Sequence, residues 1–213
     1  DVKEVRAAFG GSVNDVVLSS VTGAFRRVLL LRGEEVDAQA VMHALVPVSV
    51  RAAEDMTTNN QVSLIVASLP IGIADPIDRL RSITAQMSAL KGSHQADAGV
   101  ALTSAVALVP PVLFSAGLHA SMSLLRRMPQ HVLNTVITNV PGPVQPLYAM
   151  GREMVEYLPF VPVSQGLRIG VAAMSYNGQM TIGITGDHDT IPEVHAMAEH
   201  IEAEVDELRR LAR

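Results

Sequence analysis

Two runs constrain this chain more than anything else in it. Met42 to Val50 and Gln61 to Leu69 are almost wholly apolar and rich in β-branched residues. Continuous apolar runs of this length read as strands sheltered on both faces, unlike the alternating strands of a sheet with one wet side. A chain that contains them must also supply the helices that cover a sheet. The polar loop 51–60 separates the two strands.

The helices are legible on either side. Ser12-Val13-Asn14-Asp15 reads as a helix start, because small polar side chains accept hydrogen bonds from the free amides of a first turn and Asp15 lies at the positive end of the helix dipole. Val13, Val16, Val17, Val21, Ala24, Phe25, Val28 and Leu29 then recur at helical spacing, with Gly33 as terminator. Asp75-Pro76 opens a second helix, whose face is Ile77, Leu80, Ile83, Met87 and Leu90, reaching about Lys91. Thr190-Ile191-Pro192-Glu193 has the spacing of a capping box and predicts a terminal helix to about Leu211.

Ala98 to Leu125 contains no Asp, Glu, Lys or Arg and is long enough to span a bilayer. Pro110-Pro111 breaks it in the middle and hydroxyls and His119 interrupt it, so it reads as one or two buried helices ending near Arg126 and Arg127. Val132 to Val140 is strand-like and stops at Pro141-Gly142-Pro143, which cannot continue a ladder. Val155 to Pro162, Leu167 to Ser175 and Gln179 to Thr185 follow as strands, the last two joined by the hairpin signal Tyr176-Asn177-Gly178. The expected fold class is therefore α/β, an α+β two-layer sandwich with a mixed β-sheet covered by helices, and residues 1–213 form a single domain.

Composition removes several function classes. The chain has no cysteine, hence no disulfide, thiolate nucleophile or Cys-based zinc site, and a cytoplasmic setting is expected. With a net charge of -5, no basic block and no Trp, nucleic acid is not an expected partner. There is no Gly-x-Ser-x-Gly elbow and no phosphate-cradling glycine loop. The start at Asp1, without Met or leader, suggests a fragment.

Four segments together resemble one family. They are Val13-Asn14-Asp15-Val16-Val17-Leu18, Asn59-Asn60-Gln61-Val62-Ser63, Thr138-Asn139-Val140-Pro141-Gly142-Pro143, and Tyr176-Asn177-Gly178 through Asp187. In this order and spacing they resemble the C-terminal half of bacterial wax ester synthase/diacylglycerol acyltransferases, including the mycobacterial triacylglycerol synthases, within the CoA-dependent acyltransferase superfamily. The resemblance implies a half like that of chloramphenicol acetyltransferase, facing a similar N-terminal half across a tunnel. It implies acyl-CoA as donor substrate, with no cofactor, and diacylglycerol or a fatty alcohol as acceptor.

In that family a His-His-x-x-x-Asp-Gly motif of the N-terminal half supplies the base that takes the acceptor's hydroxyl proton. None of the seven histidines here, at 43, 94, 119, 131, 188, 195 and 200, lies in such a motif, so the chain by itself is expected to be inactive. What it offers is a tunnel wall. The resemblance implies that the strand ending at Pro143 corresponds to one that relatives send across to the other half, which would let the hydroxyl of Thr138 or the amide of Asn139 donate to an oxyanion. Alternatively, Pro141-Gly142-Pro143 merely turns the chain and Asn139 bonds the backbone of that turn. Asn14 and Asp15 orient the active-site helix or a substrate, or else cap their own helix and bond the other half. Asn59 and Asn60 approach the CoA arm or form a turn, and Arg51 contacts CoA phosphates or is a solvated charge.

Asp187-His188-Asp189 tempts as a metal site, but adjacent residues of an extended segment face opposite ways, and Asp189 with Thr190 is placed to cap the last helix, so no metal is expected. His195 with Glu199, and His200 with Glu204, stand four apart and read as a solvated helix face. Two other readings stay open: an acyltransferase of the same fold using carrier-protein thioesters or glycolipid acceptors, and a non-catalytic module that binds lipid or a partner. Because diacylglycerol and fatty alcohols live in bilayers, peripheral contact with the inner face of the plasma membrane is expected.

Overall fold

The computed structural model describes residues 1–49, 62–92, 133–163 and 166–213. The expected helices within 98–127, and the candidate residues Arg51, Asn59 and Asn60, lie outside the described residues. In chain order the elements are α1 (Val2–Phe9), α2 (Val13–Leu31), β1 (Met42–Ser49), β2 (Val62–Leu69), α3 (Pro76–Gly92), β3 (Thr135–Pro141), β4 (Tyr148–Ala149), β5 (Arg152–Glu153), β6 (Ile169–Tyr176), β7 (Gln179–Gly186) and α4 (Val194–Leu211). Five strands form one mixed sheet in the order β2-β1-β3-β6-β7, and β4 and β5 pair apart from it. β1 runs antiparallel to β2 and parallel to β3, β3 runs parallel to β6, and β6–β7 is an antiparallel hairpin. Among the described residues no helix is long and apolar enough to cross a membrane.

Period-two alternation sorts the sheet into two faces. Ala44, Val46, Ala67, Leu69, Ile137, Val171 and Ala173 pack with Val17, Val21 and Val28 of α2, Ile83 and Met87 of α3, and Met197 and Ile201 of α4. That is the helical face, and it holds the core. The opposite face is covered over β6 and β7 by the segment 155–163, whose Val161 lies against Gly170 and whose Pro159 carbonyl lies against Gly183. A side chain at Gly183 would collide with that carbonyl, so two glycines make the path along which the segment runs. Over β2 the same face is open: Leu64 is 57% and Val66 41% exposed.

Several expectations change here. Within the run 61–69, Val62–Leu69 forms a strand whose outward side chains Leu64 and Val66 are exposed, and Val155 to Pro162 is an extended strap without strand pairing. β3 does not leave the sheet, since it lies between β1 and β6. α1 went unread because eight residues carry too little pattern. Other boundaries held. α2 begins with a complete capping box, in which the Ser12 amide donates to Asp15 Oδ2 at 2.7 Å and the Asp15 amide to Ser12 Oγ at 3.3 Å. It ends at Gly33, φ 77°, where the Glu34 amide donates to the Leu29 carbonyl at 3.0 Å. Asp75 Oδ1 accepts from the amides of Ile77 and Asp78 and caps α3. At Asn177 and Gly178, φ 46° and 80°, the expected hairpin turn forms.

α4 departs more. Its start makes no capping box: Glu193 occupies the cap position without a side-chain cap bond, and Asp189 is not the cap. Instead the Thr190 hydroxyl donates to Asp187 Oδ2 at 2.5 Å, with Arg168 3.2 Å from the same oxygen. His195 and Glu199 do lie on the solvated face, 3.5 Å apart. Glu204 does not. It is 4% exposed and takes Arg79, itself 1% exposed, on Oε2 and Arg27 at 2.7 Å on Oε1. Arg79 also donates to the carbonyls of Ser19 (3.2 Å), Ile73 (3.0 Å) and Ala74 (3.2 Å). Burial pulls the Arg79 guanidinium below its usual value and Glu204 pushes it back up. Gly23 of α2 is the floor of this site, since a Cβ there would overlap the carboxylate.

Removing one member of a buried charge network leaves the other uncompensated. Glu204→Ala is expected to cost about 3–5 kcal/mol in chemical denaturation, and Arg79→Met combined with Glu204→Leu to recover most of it. A double variant as unstable as the single would show that the charges themselves are needed.

A second pair joins the end of α2 to the start of α4: Arg32 donates twice to the carboxylate of Glu193, and this hydrogen bonding holds the Glu193 carboxyl below its usual value. A depressed folded-state value means that the pair stabilises above the unfolded glutamate value of about 4.3 and stops doing so as pH falls through the folded value. Arg32→Ala should therefore lower Tm more at neutral pH than at pH about 3; equal losses at both would deny the linkage.

Candidate functional site

A cavity of about 910 Å³ opens between the starts of α1 and α2, the flank of α4, and the ends of β3, β6 and β7. Its walls are mainly aliphatic: Val13 from α2, Met180, Ile182 and Ile184 from β7, and Ile201 and Val205 from α4. The rim is mixed, with Asp1, Glu202 and Asp206 against Lys3. Asn139, Pro141, Gly142, Pro143 and Val144 close the end at the C-terminus of β3.

That end is built by three consecutive residues of β6 and its turn. The Gly142 amide donates to Ser175 Oγ at 3.2 Å, and the Asn177 amide donates to the Pro143 carbonyl at 2.9 Å. A Cβ on Gly142 would overlap the Ser175 carbonyl, so only glycine lets the turn lie this close. Tyr176, between them, also lines the cavity and is 5% exposed, and by the alternation of the strand it leaves on the face opposite Ser175. Its hydroxyl accepts from the Leu147 amide at 2.8 Å and donates to the Met154 carbonyl at 2.7 Å, gripping both sides of the β4–β5 hairpin.

The sequence-predicted residues thus divide. Asn139, Pro141 and Gly142 come together in the cavity wall, beside Val13 and next in sequence to Asn14. The alternative in which Asn139 bonds the backbone of the turn is not realised among the described residues, where Ser175 and Asn177 take the turn's backbone groups. Thr138, one residue earlier, faces the other way, level with Ala172 on the face opposite the helices. Asp15 is a helix cap, with one carboxylate oxygen left without a partner among the described residues, as is the amide nitrogen of Asn14. Asp187 is engaged by Thr190 and Arg168, and the Thr190 hydroxyl, more than Arg168, holds its carboxyl below the usual range.

Chemically, the lining suits an aliphatic group, with a few polar side chains at its ends. Among the described residues it holds no histidine, and no group of three His, Asp or Glu side chains able to bind a metal ion exists. The residues that sequence reasoning missed are Ser175 and Tyr176, read only as strand and turn. The available signal was a tyrosine beside the turn, an amphipathic side chain whose hydroxyl seeks partners when buried.

Comparison with known proteins fits this arrangement. Residues 58–209 match the model of the WS/DGAT C-terminal domain. The chain is 36% identical over 203 residues to a protein of Mycobacterium tuberculosis described as a probable diacylglycerol O-acyltransferase, covering 95% of this chain and 43% of that protein. Among solved structures it is similar to the wax ester synthase/diacylglycerol acyltransferase of Marinobacter aquaeolei, with a TM-score of 0.73, 27% identity, and coverage of 99% of this chain and 46% of that one. The PapA2 acyl transferase, at TM-score 0.56 and 15% identity, shares the fold. The chain spans less than half the length of the relatives it matches. On the strength of that match across most of its length, the chain belongs to the WS/DGAT C-terminal domain family.

Proposed function

We propose that this chain is the C-terminal half of an acyltransferase that moves a long-chain acyl group from acyl-CoA to diacylglycerol or a fatty alcohol, making triacylglycerol or wax ester. The observation that carries this reading is the identity, across 95% of the chain, with a protein described as a diacylglycerol O-acyltransferase. The aliphatic cavity suits a lipid substrate. An N-terminal half carrying the histidine motif is the partner, and it docks on the open sheet face, where Leu64, Val66 and Val140 are exposed beside the apolar outer side of the strap at Val155, Leu158 and Phe160. The enzyme works in the cytoplasm, in peripheral contact with the inner face of the plasma membrane where its acceptors reside.

Within the reaction the partner's histidine takes the acceptor's hydroxyl proton as the oxygen attacks the thioester carbonyl, then returns a proton to the departing CoA thiolate. Thr138 lies on the docking face, and its hydroxyl donates to the oxyanion that forms in between. The decisive assay is thiol release from palmitoyl-CoA, with dioleoylglycerol or 1-hexadecanol as acceptor, for the chain alone and with the histidine-bearing half supplied. Acceptor-dependent release only in the second case is expected; no release in either sinks the reading. Thr138→Val in the active assembly should lower kcat by about 10²–10³ with KM little changed. A fall of less than about threefold removes Thr138 from the mechanism.

A further inference from the structure

We propose that Tyr176 is a positioning residue, whose hydroxyl clamps the β4–β5 hairpin and thereby sets the wall of the aliphatic cavity. The hydroxyl is used in both senses: it accepts the Leu147 N–H at 2.8 Å and donates to the Met154 carbonyl at 2.7 Å. Those two residues are themselves the hairpin's closing pair, joined by the Met154 N–H to the Leu147 carbonyl at 2.9 Å. A single buried oxygen therefore grips both sides of the hairpin at its base.

The hairpin has little else to hold it. β4 and β5 contribute two residues each, every one of them exposed, and the tip residues Met150 and Gly151 turn with φ of 50° and 75°. A two-residue ladder is not stable by itself. The Tyr148 hydroxyl donates to Glu153 across the hairpin at 3.4 Å, and the Tyr157 ring, at the start of the strap, lies 6.4 Å from that of Tyr176. On the far side of the hairpin, Pro143 and Val144 line the cavity, and the Asn177 amide ties Pro143 to the residue next to Tyr176. Freeing the hairpin at Leu147 therefore loosens the chain three residues from the cavity wall.

Tyr176→Phe removes only the oxygen and keeps the ring. Amide exchange in the full-length protein should rise by about tenfold or more in a peptide covering residues 147–154, while β6, β7 and α4 keep their protection. Leu147→Pro, which deletes the donated amide and leaves Tyr176 and β6 intact, should free the same peptide and covers the case in which the tyrosine variant is too unstable to study. The consequence for catalysis rests on the function proposed above. With palmitoyl-CoA and dioleoylglycerol, Tyr176→Phe should raise the KM for the acceptor by about tenfold and change kcat by less than about twofold. Unchanged exchange at 147–154 overturns the clamp whatever the activity. A loosened hairpin with KM and kcat both intact overturns its positioning role. Absence of transfer by the wild type is a failure of the proposed function, and the exchange comparison still decides the clamp.

Discussion

The carboxylate of Glu204 sits where three helices meet, and the placement of α4 depends on it. A buried carboxylate is tolerable only when its lone pairs are filled and its charge is matched. Arg79 from α3 does both from inside, Arg27 from α2 does so from the edge, and three more Arg79 donors go to backbone carbonyls. The cluster has one geometry, because Gly23 leaves space for the carboxylate only at that height on α2. Fixing Glu204 fixes the face of α4 around it. Ile201 and Val205 then reach the cavity, while Leu208 joins Val5, Val16 and Leu80 in the smaller core cluster. An ion network on the helical side thus sets one wall of the mainly aliphatic cavity.

The other side of the sheet is divided by small residues. Gly170, Ala172 and Gly183 leave a shallow channel over β6 and β7, and the strap lies in it with its backbone against Gly183. Over β1 and β2 the outward residues are larger and no described segment covers them. The apolar character that made 61–69 read as fully buried is therefore real, but the burial it calls for is not provided by the described part of this chain. Exposed side chains such as Leu64 and Val66 fit a face that meets another body.

What was legible followed from local physics. α2, α3 and the β6–β7 hairpin announced themselves through caps, periodicity and an Asn-Gly turn, because each is stabilised by groups close together in sequence. The mixed sheet followed from separate runs of strands and of helices. What failed was long-range. Glu204 stands among Glu202, Asp206 and Glu207, and nothing nearby tells which carboxylate turns inward; the answer lies in Arg79, far away in sequence, and in the missing side chain of Gly23. The apolar strap was read as a strand for the same reason, since its residues suit a sheet and only the tertiary structure decides that it crosses one. In the candidate site, the Pro141-Gly142-Pro143 turn was visible, but its grip by Ser175 and Asn177 depends on the parallel register of β3 and β6, which no local pattern encodes.

That register also limits what the β3 terminus can do chemically. Thr138 and Asn139 are neighbours in an extended strand held by β6 up to Pro141, so their side chains leave on opposite faces. They cannot donate together to one oxyanion. A reacting centre on the open face, where the docking half is proposed to bring its histidine, is within reach of Thr138 alone. Asn139 would then serve the cavity on the helical side, where its amide meets the substrate away from the reacting carbon. Under the proposed function, the pleat of this one strand end would assign two tasks to opposite faces: stabilising charge at Thr138 and orienting a lipid at Asn139.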